Sequence, residues 1–199
     1  MGKILIIVDA QEDFLEGGSL AVEGARQKMN ALAGYLAVHG KEYDGIYLTA
    51  DWHLPSHCSF KDNGGIWPSH CVQYSKGAAI HQPILVVLNG EKLDYCVLTK
   101  GCDEDHEEYS VFKNEKSCEY LKNVNNHMQV NTVDFAGIAY DYCLKDSVLD
   151  SKKVFTNSTI RVLKEFCPCI GNADETTKIL EDNNVIIVDK ILASWEQDV

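Results

Sequence analysis

Five short runs of consecutive apolar residues, rich in isoleucine and valine, punctuate this chain: KILIIVD (3–9), GIYLTA (45–50), YCVLTK (95–100), VDFAGIA (133–139) and NVIIVD (184–189). A strand with one wet face alternates apolar and polar side chains, whereas a strand covered on both faces is apolar at successive positions. The runs therefore predict buried strands of a parallel sheet. Helical patterns lie between them. Met29, Leu32, Ala33 and Leu36 fall at i, i+3, i+4 and i+7, which predicts a helix over 24–39. Further helices are expected at 115–125, from Asp141 to about Ser151 with Leu144 and Val148 on one face, and from Asn172 to about Asp182. Glu175, three residues after Asn172, completes a capping-box signature there. Alternating strands and helices indicate an α/β fold, a mostly parallel sheet with helices on both faces. The stretch 154–170 stays open between strand and short helix, with Pro168 stopping either.

At 199 residues, without internal repeat, low-complexity tract or Pro/Gly/Ser linker, the chain is expected to form one domain over 1–199. Thirty acidic residues against eighteen basic ones give a net charge of -12, which disfavours nucleic acid and anionic membranes as partners. The apolar run 4–8 ends at Asp9, too short for a signal-peptide core or a membrane span, and Ile6 stands where a myristoylation signal needs Ser or Thr. A cytoplasmic location is expected, with the eight cysteines reduced. Self-association into a homo-oligomer is left open.

In an open α/β sheet, ligands bind beyond the carboxyl ends of the strands. Asp9 ends the first run, Asp51 and His53 follow the second, Lys100 ends the third and Cys143 opens the helix after the fourth, so five chemically capable side chains should gather on one edge. Two residues apart on an extended segment, Asp51 and His53 point the same way. With His57 and His70 nearby, a carboxylate and imidazole set suits one divalent ion, Zn²⁺ foremost, with Fe²⁺ or Mn²⁺ also acceptable. Fewer than four protein ligands would leave a position for water or substrate. Cys143 in GIAYDYC lies at a strand-to-helix turn, where unpaired backbone N–H groups and the positive helix end are expected to favour a thiolate. Asp9 could serve as its base, with Lys100 holding that carboxylate.

These residues also carry a resemblance. VDAQEDF (8–14) followed by EGGSLAV, ADWHLPSHCSF (50–60), WPSHCVQYSKGA (67–78), TKG (99–101) with EEYSVF (107–112), and GIAYDYC (137–143) resemble, in order and spacing, the nicotinamidase/pyrazinamidase branch of the isochorismatase-like cysteine hydrolases. The resemblance covers roughly residues 3–150 and thins where KKVFTNSTIRVLKEFCPCIG (152–171) departs from the usual pattern. It implies a three-layer α/β/α fold and a metal-dependent amidohydrolase that converts nicotinamide to nicotinic acid in NAD salvage, and pyrazinamide as well. It implies Asp9, Lys100 and Cys143 as the triad, with Asp51, His53 and His70 as metal ligands. Relatives differ over a fourth ligand in this segment, so His57 stands as a candidate. It further implies Phe14 and Trp67 as walls of the ring site, Ile138 and Tyr142 beside the substrate, a cis peptide between Ile138 and Ala139, and an oxyanion hole from the N–H groups of Ala139 and Cys143. Two other readings remain beside it. One is a metal-independent relative that cleaves another small amide, an N-carbamoyl compound or an isochorismate-like ether. The other is a non-catalytic protein that binds zinc through Cys58, Cys71, Cys167 or Cys169.

Overall fold

The computed structural model of the chain describes residues 2–190. Its strands are β1 (Gly2–Val8), β2 (Gly45–Asp51), β3 (Tyr95–Lys100), β4 (Val130–Gly137), β5 (Thr159–Leu163) and β6 (Ile186–Val188). All pair in parallel as one sheet in the order β3-β2-β1-β4-β5-β6. The helices are α1 (Ala25–His39), α2 (Gln82–Gly90), α3 (Glu115–Met128), α4 (Lys145–Ser151) and α5 (Ala173–Asp182).

β1 shows why consecutive apolar residues are needed. Its Leu5 and Ile7 pack with Met29, Leu32 and Leu36 of α1 and with Ile84 and Leu88 of α2, while Ile4, Ile6 and Val8 pack with Leu121 of α3, Val148 of α4 and Leu180 of α5. Successive side chains of a strand enter opposite layers, so both must be apolar. Each such side chain is worth roughly 1.5–3 kcal/mol when buried.

The chain reverses direction across the sheet between β1, whose onward path runs to β2, and β4 on its other side. Such a switch point opens a crevice at the carboxyl edge, where Asp9 and the turn after β4 emerge. Among the described residues no helix is long and apolar enough to cross a membrane.

The expected helices and strands are present with shifted ends, but the runs at the two sheet edges are not buried on both faces as expected. Tyr95 and Val97 of β3 and Ile186 of β6 are exposed, because an edge strand lacks a neighbour and full helix cover on one side. β4 begins three residues before the apolar pattern suggested and stops at Gly137, and β6 is confined to Ile186–Val188. The ambiguous 154–170 stretch holds β5 followed by a 3-10 turn at Lys164–Phe166. Asn172 caps α5 as expected, its Oδ1 accepting from the N–H groups of Asp174 at 3.0 Å and Glu175 at 3.2 Å. α2 was not anticipated: Ile84 to Leu88 is an unbroken apolar run like a buried strand, but Pro83 in its first turn favours a helix start, with Ile84 and Leu88 buried and Leu85 and Val87 packed partly buried against the same core.

Candidate active site

Strand register brings the acidic and basic groups together. Asp51 pairs with Lys100 in the β2–β3 ladder, so both side chains leave the sheet edge side by side. Asp9 follows β1 with a left-handed φ of 46°, an uncommon conformation for a residue with a Cβ. Its Oδ1 accepts from Thr49 Oγ1 at 2.6 Å. The Lys100 ammonium, fully buried, stands 2.5 Å from Asp51 Oδ1, 2.9 Å from Asp9 Oδ2 and 3.4 Å from Cys143 Sγ. The contact with Asp9 Oδ2 is a buried ion pair, and the ligand atoms of Asp9, Asp51 and Cys143 all lie within 4.8 Å of one another.

Cys143 arrives from β4. Gly137 (φ 120°) lets that strand end close against β1, since a Cβ there would collide with the Val8 backbone, and the N–H of Ile138 donates to Val8 O at 2.8 Å. The Ile138–Ala139 peptide is cis, as the resemblance implied. A wide turn over Tyr140–Leu144 follows, with Leu144 N–H donating to Ala139 O at 3.1 Å across five residues, and α4 begins only at Lys145.

This corrects the expected thiolate environment. Cys143 lies in the wide turn and not in the first turn of a regular helix, and it is almost fully buried. Burial pushes its thiol well above the usual range, the Lys100 charge opposing. Burial also raises Asp9, with Lys100 opposing and Asp51 adding to the rise. For Lys100 burial works against the charge, but Asp51 and Asp9 outweigh it and keep the ammonium protonated. Asp51 also meets a burial penalty, which Lys100 and His53 overcome, holding its carboxyl far below the ordinary range. The cluster is thus a fixed ammonium between two carboxylates and a buried sulfur, and a proton passing from Cys143 to Asp9 leaves the buried net charge unchanged.

Asp51, His53 and His70 form a second group, their candidate ligand atoms all within 4.8 Å of one another. Asp51 Oδ2 is 3.6 Å from His53 Nε2 and 3.9 Å from His70 Nε2. His53 Nδ1 is 2.9 Å from Gly101 O and His70 Nδ1 is 2.8 Å from Pro68 O. Both Nδ1 atoms therefore act as donors, which leaves both Nε2 lone pairs facing the carboxylate, as a ligand set requires. A divalent metal ion fits this donor chemistry. A Cβ at Gly101 (φ 62°) would strike the His53 ring, so the glycine after Lys100 makes room for that ring.

His57 stands outside the group. Its Nδ1 is 2.8 Å from Ser59 Oγ and its Nε2 is 3.2 Å from His106 O, so both nitrogens are engaged elsewhere. Cys58, Cys71, Cys167 and Cys169 form no metal-holding group among the described residues.

Two supporting residues carried no signal as single letters. Gln11, fully buried, grips the Asp51 backbone, its Nε2 donating to Asp51 O at 2.8 Å and its Oε1 accepting from Asp51 N–H at 2.8 Å. Asp13 Oδ2 accepts from Cys71 N–H at 2.7 Å, fixing the loop beside His70.

A pocket of about 370 Å³, mouth included, opens onto both groups. Asp51, His70, Ala139 and Cys143 lie in its wall with Phe14, Trp67 and Tyr142. Trp67 Nε1 donates to Tyr109 Oη at 2.9 Å, and the Tyr142 ring meets both Trp67 and Tyr109 edge-on. Leu20, Glu107, Tyr109 and Ile170 also line it, none of which the sequence alone singled out. Ile138 is the exception among the expected contacts: it does not line the pocket, because its side chain shares the face of Ala136 and packs into the α1-side core.

No family model matches the chain. The curated nicotinamidase/pyrazinamidase of Mycobacterium tuberculosis is 33% identical over 196 residues, covering 96% of this chain and all of that protein. Among solved structures, the pyrazinamidase of Pyrococcus horikoshii in complex with zinc superposes with a TM-score of 0.80 at 26% identity, covering 96% of this chain and all of that one. PnC1 from L. infantum in complex with nicotinate gives 0.79 at 31% identity, covering 94% and 92%.

Proposed function

This chain belongs to the nicotinamidase/pyrazinamidase family, and from that premise we infer that it hydrolyses nicotinamide to nicotinic acid and ammonia through a thioester on Cys143. The observation that carries the mechanism is the buried contact of one ammonium with a thiol and two carboxylates, Lys100 reaching Asp9, Asp51 and Cys143 together. Asp9 takes the Cys143 proton, and the sulfur attacks the carboxamide carbon. The N–H groups of Ala139 and Cys143 receive the oxyanion. Asp9 then returns the proton to the departing ammonia, leaving the thioester. A water, deprotonated by Asp9, attacks the thioester carbon, the C–S bond breaks as the acid forms, and Asp9 returns the proton to the departing Cys143 sulfur. Lys100 keeps Asp9 ionised before each proton transfer. Phe14 and Trp67 flank the ring, with Tyr142 beside them, and hold the amide over the sulfur.

Asp51, His53 and His70 would hold one divalent ion, zinc foremost and iron or manganese as alternatives. When bound, such an ion supplies a Lewis-acidic position for the pyridine nitrogen. The reading covers 1–199 as one hydrolase domain working in NAD salvage, with pyrazinamide as a second substrate. It places the protein in a reducing, cytoplasmic setting, supported by eight cysteines that form no disulfide.

The test is ammonia release from nicotinamide by metal-analysed protein, with Cys143→Ala and benzamide in parallel. The expected result is release from nicotinamide alone, and only with Cys143 present. Bound metal with no ammonia from nicotinamide would overturn the substrate assignment.

A further inference from the structure

Hydrolysis of a carboxamide turns a neutral ligand into an anion, and the pocket contains a side chain placed to sense that change. Phe14, Leu20, Trp67, Tyr142 and Ile170 give the pocket an aromatic and apolar wall, which two acidic residues also line: Asp51, paired with Lys100, and Glu107. The place of Glu107 is fixed from both sides. Glu108 Oε2 accepts from Gly101 N–H at 2.7 Å and from Asn114 Nδ2 at 3.1 Å, while Tyr109 Oη accepts from Trp67 Nε1 at 2.9 Å. Held between these anchors, Glu107 is half-buried at the pocket rather than free in solvent. Burial, followed by the nearby Asp51 charge, raises its carboxyl above the ordinary range, with His53 and Lys100 opposing. An ionised group in such partly dry surroundings acts on other charges more strongly than one on the surface.

We propose that Glu107 is a specificity-determining residue that discriminates against the product: its negative charge weakens binding of the pyridine carboxylate relative to the neutral carboxamide and so favours product release. The assignment rests on the nicotinamide reading above. It requires no contact with the reacting atoms, only charge repulsion across the pocket.

The test compares two ligands on metal-loaded protein that cannot turn over. Dissociation constants for nicotinate and nicotinamide are measured by calorimetry on Cys143→Ala and on Cys143→Ala/Glu107→Gln, at about pH 8, well above the ordinary carboxyl range. The expected result is a fall in the nicotinate-to-nicotinamide Kd ratio of roughly fivefold to tenfold on removing the charge. Glu107→Asp in the same background should recover most of the original ratio. A merely structural role would move both constants together and leave the ratio unchanged, which overturns the proposal while the substrate reading stands. If neither ligand binds and the unmutated enzyme releases no ammonia from nicotinamide, the substrate reading fails and takes the proposal with it.

Discussion

Lys100 is the fully buried ammonium that balances the acids of the site, at 2.9 Å from Asp9 and 2.5 Å from Asp51. Lys100→Met would leave both carboxylates buried without their cation, and breaking one side of a buried pair costs about 3–5 kcal/mol. The variant is expected to melt at clearly lower temperature and to lose at least about a hundredfold in kcat, on the scale of general acid-base contributions. The pH dependence has a definite sign. Without Lys100 the folded-state carboxyls rise above their unfolded values, so the folded variant binds more protons than the unfolded chain and its stability falls as pH rises through the carboxylate range. Its melting deficit should therefore shrink between neutral and acidic pH, and a deficit that grows on acidification would contradict the assignment. His70→Ala is expected to lower bound metal by roughly 10-fold or more, read directly by elemental analysis. Of these residues, Asp9, Asp51, His53, Lys100 and Cys143 were legible because chemistry-bearing letters sit at the ends of strand patterns. Gln11 and Thr49 were not legible, because their value comes from which backbone or carboxylate they meet across neighbouring strands.

At the scale of elements, the turn after β4 and the cap of α5 give contrasting expectations. Gly137→Ala introduces a Cβ at a φ of 120° against the Val8 backbone. It should destabilise the fold by several kcal/mol, at the upper end of single-substitution effects, and lower activity by displacing the turn that carries Cys143. Asn172→Ala removes one acceptor from two N–H groups at the start of α5 and touches none of the groups that carry the chemistry. Here the expected loss is about 1 kcal/mol in urea unfolding with kcat unchanged. A large activity loss in the cap variant would mean that α5 is coupled to the site. The cap was readable from Asn172 and Glu175 alone. The wide turn was not, since five residues can close a regular or a wide turn with the same letters, and its shape is set by where β4 ends and how α4 packs. α2 eluded the pattern for a related reason: the apolar run 84–88 alone satisfies a buried strand and a buried helix equally, and what decides is Pro83 at its start together with packing against α1.

For the whole molecule, burial of tyrosines links stability to alkaline pH. Burial raises the Tyr47 and Tyr140 phenols to about 12, and Tyr43 is pushed upward as well by burial and the Asp134 charge. The unfolded chain releases these protons near the ordinary phenol value, about 10. The folded state therefore holds protons that the unfolded state gives up, and stability is full below about pH 10 and falls as pH rises towards 12. Absorbance titration should show the exposed tyrosines ionising first and the buried ones only as circular dichroism is lost. A single phase near the ordinary phenol value with intact circular dichroism would refute this.

Sequence by itself determined the fold class and the side of the sheet where chemistry gathers. Two-faced burial imposes consecutive apolar residues, and their ends mark a parallel sheet's carboxyl edge. Tertiary structure decided the rest: which strands are neighbours, that Asp51 and Lys100 share a register, that His57 turns away from Asp51 while His70 turns towards it, and that Cys143 is buried beside Lys100. The physical reason is that burial patterns are local and periodic, whereas hydrogen-bond partners and charge separations depend on the relative placement of segments remote in the chain.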